Sequence, residues 1–148
     1  MIFITVGTGK FEEMIKEVDK IAPHLKEKMV AQIGEGDYIP KNIEYFRFRD
    51  NLIDYYKKAD LIIAHGGAGT TYELLTMGKR LISLANLNRT DVHQNEILEE
   101  LSKQGCLLWC RKFEDLEKTI RKAKRFRFRR YVQPECKIAE KIKGFIRH

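Results

Sequence analysis

The stretch from Ala59 to Glu96 constrains this chain most, because it sets a strand, a glycine loop, a helix and a second strand in close succession. Leu61-Ile62-Ile63-Ala64 is a short apolar run without helical spacing, the pattern of a strand buried in a parallel sheet. His65-Gly66-Gly67-Ala68-Gly69-Thr70-Thr71 then turns the chain. The spacing predicts a helix over Thr71–Met77, a stop at Gly78 and a further strand over Arg80–Leu84. A glycine loop lets backbone N–H groups approach a ligand closely, and a helix start adds unpaired donors and a positive dipole end. Phosphate suits such a place.

The rest of the chain repeats the alternation. Ile2–Val6 reads as an opening strand closed by Gly7-Thr8-Gly9. A helix follows with Phe11, Met14, Ile15, Val18 and Ile21 on one face, ending at Pro23. Met29–Ile33 and Ile43–Phe48 read as strands, and Leu52–Ala59 as a short helix. Beyond the central unit come a helix from about Asp91 to Lys103, a strand at Leu107–Trp109 and a helix over Phe113–Lys124. A terminal helix is predicted from Pro134 to Ile146, with Ile138, Ile142 and Ile146 in register. Strands alternating with helices predict an α/β domain with a parallel sheet covered on both faces. In such sheets ligands bind beyond the carboxyl ends of the strands. Two glycine turns are expected at that edge.

At 148 residues the chain is long enough to bury a real core. No apolar run reaches the roughly 20 residues of a membrane span, and no secretory signal pattern opens the chain. Cys106, Cys110 and Cys136 fit neither a disulfide framework nor a zinc site, and read as reduced intracellular thiols used in packing. The net charge of +7 is concentrated late: residues Arg111 to His148 hold 14 Lys and Arg against 5 Asp and Glu. Between Arg121 and Tyr131 cations interleave with aromatics, which suits a solvated face, a nucleic-acid surface or a membrane- or partner-facing segment.

Several side chains near the glycine loops could serve a nucleotide. Glu73 could accept two vicinal ribose hydroxyls, or could be an ordinary acidic residue near a helix start. His65 could donate to a phosphate oxygen or simply end a strand. Asp91 and Gln94 could form a capping box, or Gln94 and Asn95 could read sugar hydroxyls. Spacing alone leaves these alternatives open.

The segment HGGAGTTYELLTMGKRLISLANLNRTDVHQNEILEELSKQG resembles the carboxyl-terminal, donor-binding half of glycosyltransferase family 28. That family carries an (S/H)xGAGT…E segment followed by a strand and a (D/N)HQxxNA-type helix start. Within it the chain is similar to two-part UDP-N-acetylglucosamine transferases acting on dolichol-linked sugars, and in the same half to the peptidoglycan transferase. The resemblance spans nearly the whole chain and is strongest from Phe48 to Gly105. It implies a Rossmann-like α/β fold equivalent to the C-terminal half of a GT-B enzyme, with a donor-binding domain over 1–131 and a docking element over 132–148.

Position by position, the resemblance implies that Gly67, Ala68, Gly69 and Thr70 hold the donor diphosphate, with His65 beside them. Glu73 would hold the ribose, and Gln94 and Asn95 would face the sugar, with His93 at the family's HQ pair. Gly7, Thr8 and Gly9 match the first glycine turn, and Gln32 and Gly34 a QxG at the second strand. Phe48 and Arg49 fall where uracil is contacted largely through backbone. Asn95 is followed by Glu96-Ile97 where the family commonly has Asn-Ala.

The implied function is donor binding for an inverting, metal-independent transferase whose substrate is a UDP-sugar, N-acetylglucosamine being the expected sugar. No cofactor or metal is expected, since the chain has no Asp-x-Asp, and helix and backbone donors would meet the diphosphate charge. His93 is a candidate base, although the family places acceptor chemistry in the other half. The expected partners are a membrane-anchored, acceptor-binding subunit and a lipid-linked acceptor, with the arginine cluster beside lipid and the protein peripheral at the cytoplasmic face. Self-association of the isolated chain stays open. The alternatives are a two-subunit UDP-glucuronate or hexose transferase of exopolysaccharide assembly, and a non-catalytic nucleotide-sugar or nucleic-acid binding module.

Overall fold

The computed structural model describes residues 1–84 and 92–132, with Val92 and His93 described by backbone alone. The expected Asp91 cap, the terminal helix from Pro134 and Cys136 lie outside the described residues. The elements are β1 (Ile2–Thr5), α1 (Glu12–Ile21), β2 (Met29–Gln32), β3 (Glu44–Phe46), α2 (Ile53–Lys58) and β4 (Leu61–His65). They continue as α3 (Ala68–Thr76), β5 (Leu81–Leu84), α4 (Val92–Lys103), β6 (Leu108–Cys110) and α5 (Leu116–Ala123). Every strand pair is parallel, in the order β3-β2-β1-β4-β5-β6. This is the Rossmann-like arrangement, with its strand order reversing between β1 and β4.

Helices cover both faces. The α1 and α5 side packs Met14, Ile15, Leu116 and Ile120 against Ile2, Ile4, Ile63 and Ile82. The opposite side packs Tyr56, Leu74, Leu75, Leu98 and Leu101, from α2, α3 and α4, against Phe3, Ile62 and Leu81. Neighbouring residues of one strand therefore serve different cores, which is why the strands read as unbroken apolar runs.

One connection departs from the repeat. Parallel strands need a crossover, usually a helix, yet β2 reaches β3 through a loop without one. Two carboxylates of α1 replace the missing helix as a source of hydrogen bonds. Glu12 accepts from the Asp37 and Tyr38 amides, which pulls its carboxyl below the ordinary value. Asp19, 2% exposed, accepts from the Tyr38 hydroxyl and from the Lys41 and Asn42 amides.

Burial pushes the Asp19 carboxyl upward, but donation from Tyr38 and from the Asn42 and Lys41 amides outweighs it and holds the group low. A folded value below the unfolded one gives stability that is complete above about pH 4 and is lost as pH falls through the folded value. Asp19→Asn is expected to lose about 2 kcal/mol of urea-unfolding free energy at neutral pH and to flatten the loss below about pH 4. An acid limb identical to that of the parent would show that Asp19 does not carry it.

The helix stop at Gly78 is a paired-carbonyl cap. Gly78, at φ 75°, donates to Leu75 and Lys79 donates to Leu74, so the last carbonyls of α3 are satisfied. Burial raises the Cys106 and Cys110 thiols, in keeping with the packing role expected of them.

Candidate functional site

A cleft of about 310 Å³ opens at the carboxyl ends of the strands, at the reversal point of the sheet. It is lined by Thr5, Gly7 and Thr8 from the end of β1, Gln32 from β2, and the segment Phe48–Leu52 after β3. Tyr56 of α2 and Thr70 and Glu73 of α3 complete the wall. Seven of the residues expected to serve a donor thus meet in one place: Gly7, Thr8, Gln32, Phe48, Arg49, Thr70 and Glu73.

The wall formed by α3 offers backbone donors. The helix begins at Ala68, three residues before the start expected at Thr71. Thr71 makes the first intrahelical bond, its N–H donating to the Gly67 carbonyl at 3.0 Å and its hydroxyl to the same oxygen at 2.7 Å. The N–H groups of Gly67, Ala68, Gly69 and Thr70 therefore have no acceptor within the helix, and the N-cap residue, Gly67, supplies no side-chain cap. These four donors sit at the positive end of the helix dipole. The earlier start moves Glu73 into the second turn, still on the cleft.

His65 ties the two glycine turns together. A Cβ on Gly7 would stand 2.6 Å from the imidazole, and one on Gly67 would stand 2.5 Å from its Nε2. The glycines at both positions make room for this ring as well as leaving backbone accessible. Gly69 differs, because a Cβ there would meet nothing within 4 Å among the described residues.

Gln32 braces the cleft floor. Its Oε1 accepts from Thr5 Oγ1 at 2.7 Å and the Val6 amide at 3.1 Å, and its Nε2 donates to the Gly7 and Arg47 carbonyls, each at 3.0 Å. That is the full complement of a side-chain amide, so Gln32 fixes the first glycine turn and the β3 exit to each other. Gly34 locks the same corner: at φ +64°, an added Cβ would lie 2.1 Å from the Gly9 carbonyl oxygen. Gly9 itself accepts from the Glu35 amide below the cleft.

Phe48 is 53% exposed on the opposite wall, a flat apolar surface beside polar Asp50 and Asn51. The Arg49 guanidinium stacks over Phe46 and Tyr55, at 4.7 and 5.4 Å from their centroids, which spends its side chain on packing. Gln94 and Asn95 lie half-buried on the first turn of α4 and do not line this cleft, and His93 is described by backbone alone. Sequence reasoning missed Thr5, Asp50, Asn51, Leu52 and Tyr56. Tyr56 carried the apolar periodicity of α2, which concealed its second role at the cleft.

The basic run lies elsewhere. Phe126 and Phe128 turn inward against the α1–α5 core, edge to face at 4.9 Å, while Arg125, Arg127, Arg129 and Arg130 are exposed. Arg80 stacks over Phe128, and the Arg129 amide donates to Gly105, so the run straps the amino ends of β5 and β6. Its two phenyl rings are partly buried against that core. Among the described residues, no group of three His, Cys, Asp or Glu is placed to hold a metal ion, and no helix is long and apolar enough to cross a membrane.

Fold and cleft together define a Rossmann-like domain of the GT-B type. The chain belongs to the glycosyltransferase family 28 C-terminal domain family, which it matches over residues 1–147. It is 33% identical over 122 residues to the UDP-N-acetylglucosamine transferase subunit ALG13 of Homo sapiens, covering 74% of this chain and 11% of that protein. The chain thus spans about a tenth of that relative's length. Among solved structures, MurG of Acinetobacter baumannii superposes with a TM-score of 0.68 at 21% identity, covering 82% of this chain and 40% of MurG. A solution structure of ALG13 gives 0.63 at 16% identity, covering 89% of each chain. These two likenesses concern the fold.

Proposed function

We propose that this chain is the donor-binding subunit of an inverting, metal-independent glycosyltransferase that moves N-acetylglucosamine from UDP to a lipid-linked acceptor. A separate, membrane-anchored subunit supplies the acceptor half and the base. The observation that carries the reading is the meeting of the first glycine turn, at Gly7 and Thr8, with Thr70 and Glu73 of α3 on one cleft at the sheet's reversal point, His65 standing against both Gly7 and Gly67. Family membership and the human relative's name support the sugar and the role as a subunit.

The roles follow from the groups present. Uracil lies against Phe48 and is read by the backbone of residues 48 and 49. Glu73 accepts both ribose hydroxyls. The N–H groups of Gly67 to Thr70 face the diphosphate, and His65 stands beside them. As the glycosidic bond breaks, negative charge grows on the leaving UDP, and these fixed donors favour that charged state over the ground state. Gln94 and Asn95 would meet the sugar beyond the edge of the cleft, where the second subunit closes over it.

Gly69 separates a ligand requirement from a packing requirement. Gly69→Ala is expected to leave the melting temperature unchanged or slightly raised, because the site is open and alanine favours helix. It is expected to weaken UDP binding about tenfold, through loss of close backbone approach to phosphate. Equal binding by variant and parent would place the diphosphate elsewhere.

The test of the whole reading is calorimetric titration of the full chain with UDP, UDP-N-acetylglucosamine, UDP-glucuronate and ATP. Saturable binding of UDP-N-acetylglucosamine above the others is the expected result. Preference for UDP-glucuronate would move the chain to the exopolysaccharide alternative, and binding of none would reject a self-sufficient donor site.

A further inference from the structure

Gln32 lies in the floor of the cleft, buried, with its amide hydrogen bonds already made inside the fold. It has no donor left for a ligand. Its Nε2 instead holds two carbonyls from different elements, that of Gly7 in the first glycine turn and that of Arg47 at the β3 exit. Its Oε1 is pinned by Thr5 Oγ1 and the Val6 amide, so the side chain cannot flip without losing all four bonds.

A peptide unit is planar, and in the trans form its C=O and N–H lie on opposite sides. Both units here are trans. A Gly7 carbonyl drawn down to the Gln32 amide therefore turns the Thr8 N–H away from the floor. The Arg47 carbonyl does the same for the Phe48 N–H. Thr8 and Phe48 both line the cleft, and among the described residues neither N–H has an acceptor. Neighbouring bonds keep both units from rotating. The Gly34 amide also donates to the Arg47 carbonyl, at 3.1 Å, and the Arg47 guanidinium donates to the Gly34 and Gly36 carbonyls. The Gly7 amide donates to Thr5 Oγ1 at 3.3 Å, so that N–H is spent inside the fold.

We propose that Gln32 is a positioning residue for the donor: its one amide aims the Phe48 N–H at a carbonyl of the uracil ring and the Thr8 N–H at an oxygen of the diphosphate. This rests on the reading of the cleft as a uridine-nucleotide site. The Thr8 donor adds to the N–H groups of Gly67 to Thr70, with His65 standing against both turns. Because one buried amide sets both donors, base and phosphate are read at a fixed separation before the ligand arrives. Such preorganisation raises affinity for the whole nucleotide above that for either fragment.

Amide NMR of the full, isotope-labelled chain reads each donor directly, because an N–H that gains an acceptor moves its proton downfield. In the parent, uridine is expected to shift the Phe48 resonance, pyrophosphate that of Thr8, and UDP both. Gln32→Glu keeps the shape and the accepting oxygen but replaces the donor by a second oxygen. It should bind UDP about thirtyfold more weakly. At saturating UDP the variant should lose the Thr8 and Phe48 shifts while Gly69 and Thr70 still respond, a separation that general loosening of the fold would not produce. A melting curve checks that the variant is folded, and the parent titrations decide the matter even where it is not. Thr8 or Phe48 amides that stay still in the parent while Gly69 and Thr70 move would overturn the proposal and leave the nucleotide site standing. Parental shifts in a folded Gln32→Glu would overturn it too. If no uridine nucleotide moved any amide of the cleft, the nucleotide reading itself would fall, and the inference with it.

Discussion

Glu73→Ala is expected to weaken UDP-sugar binding by about 3 kcal/mol, on the order of a hundredfold in Kd. Two hydrogen bonds from ribose hydroxyls to an ionised acceptor are lost together, and charge-assisted bonds are the stronger kind. The substitution should cost little stability, because Glu73 is exposed on α3 and alanine is a good helix former. A melting temperature near that of the parent combined with lost binding is therefore the diagnostic pair. Calorimetry measures the binding and differential scanning the stability. Retained affinity for UDP-N-acetylglucosamine would remove the ribose role from Glu73. ATP, with the same ribose but another base, provides the control for recognition at Phe48.

Gly34→Ala is expected to act through the fold. The residue sits at φ +64°, where an L side chain is strained, and its Cβ would come within 2.1 Å of the Gly9 carbonyl oxygen and 2.9 Å of Val6 Cγ2. The first of these is backbone, so a rotamer change cannot relieve it. The corner must open instead, disturbing the Glu35 to Gly9 bond and the Arg47 contacts to the Gly34 and Gly36 carbonyls. A loss of about 3 kcal/mol is expected, about 10 °C in Tm for a chain of this size. Nucleotide affinity should fall as well, because the Gly7 turn is braced from the same corner through Gln32. A Gly34→Ala variant that melts with the parent would show that this corner is not tightly held.

The two substitutions separate ligand recognition from scaffold. Glu73→Ala removes binding from an intact domain, whereas Gly34→Ala weakens the domain and takes binding with it. Gly69→Ala belongs with the first kind, although it too changes a glycine. The difference lies in surroundings: open space at Gly69, a carbonyl oxygen at Gly34.

Much of the fold was legible in the residues because local rules fixed it. The unbroken apolar runs at Ile2 and Leu61 could only be strands covered on both faces, and both lie at the centre of the parallel sheet. The apolar stripe from Met14 to Ile21 became α1, and Gly78 became the stop of α3. Family resemblance pointed to the glycine turns and Glu73, which share the ligand edge. What adjacent residues could not display was the use of side chains across long sequence separations. Gln32 read as a ligand contact, yet its amide is committed to Thr5, Val6, Gly7 and Arg47. The interleaved tail read as one surface, yet its phenylalanines turn inward and its arginines outward. Periodicity reports which face of an element is apolar, and is silent on what lies opposite.

The sequence alone determined the alternation of elements, the parallel sheet and the chemistry available at its ligand edge, because those depend on neighbours within a few positions. Tertiary structure decided that α3 starts at Ala68 and leaves four N–H groups without an acceptor inside the helix. It also decided that His65 fills the space above two glycines and that Asp19 and Glu12 replace a crossover helix. Finally, it brought Tyr56 to the cleft that Glu73 also lines. Each of these is a contact between groups far apart in the chain, set by how the sheet stacks its connections and by no local preference.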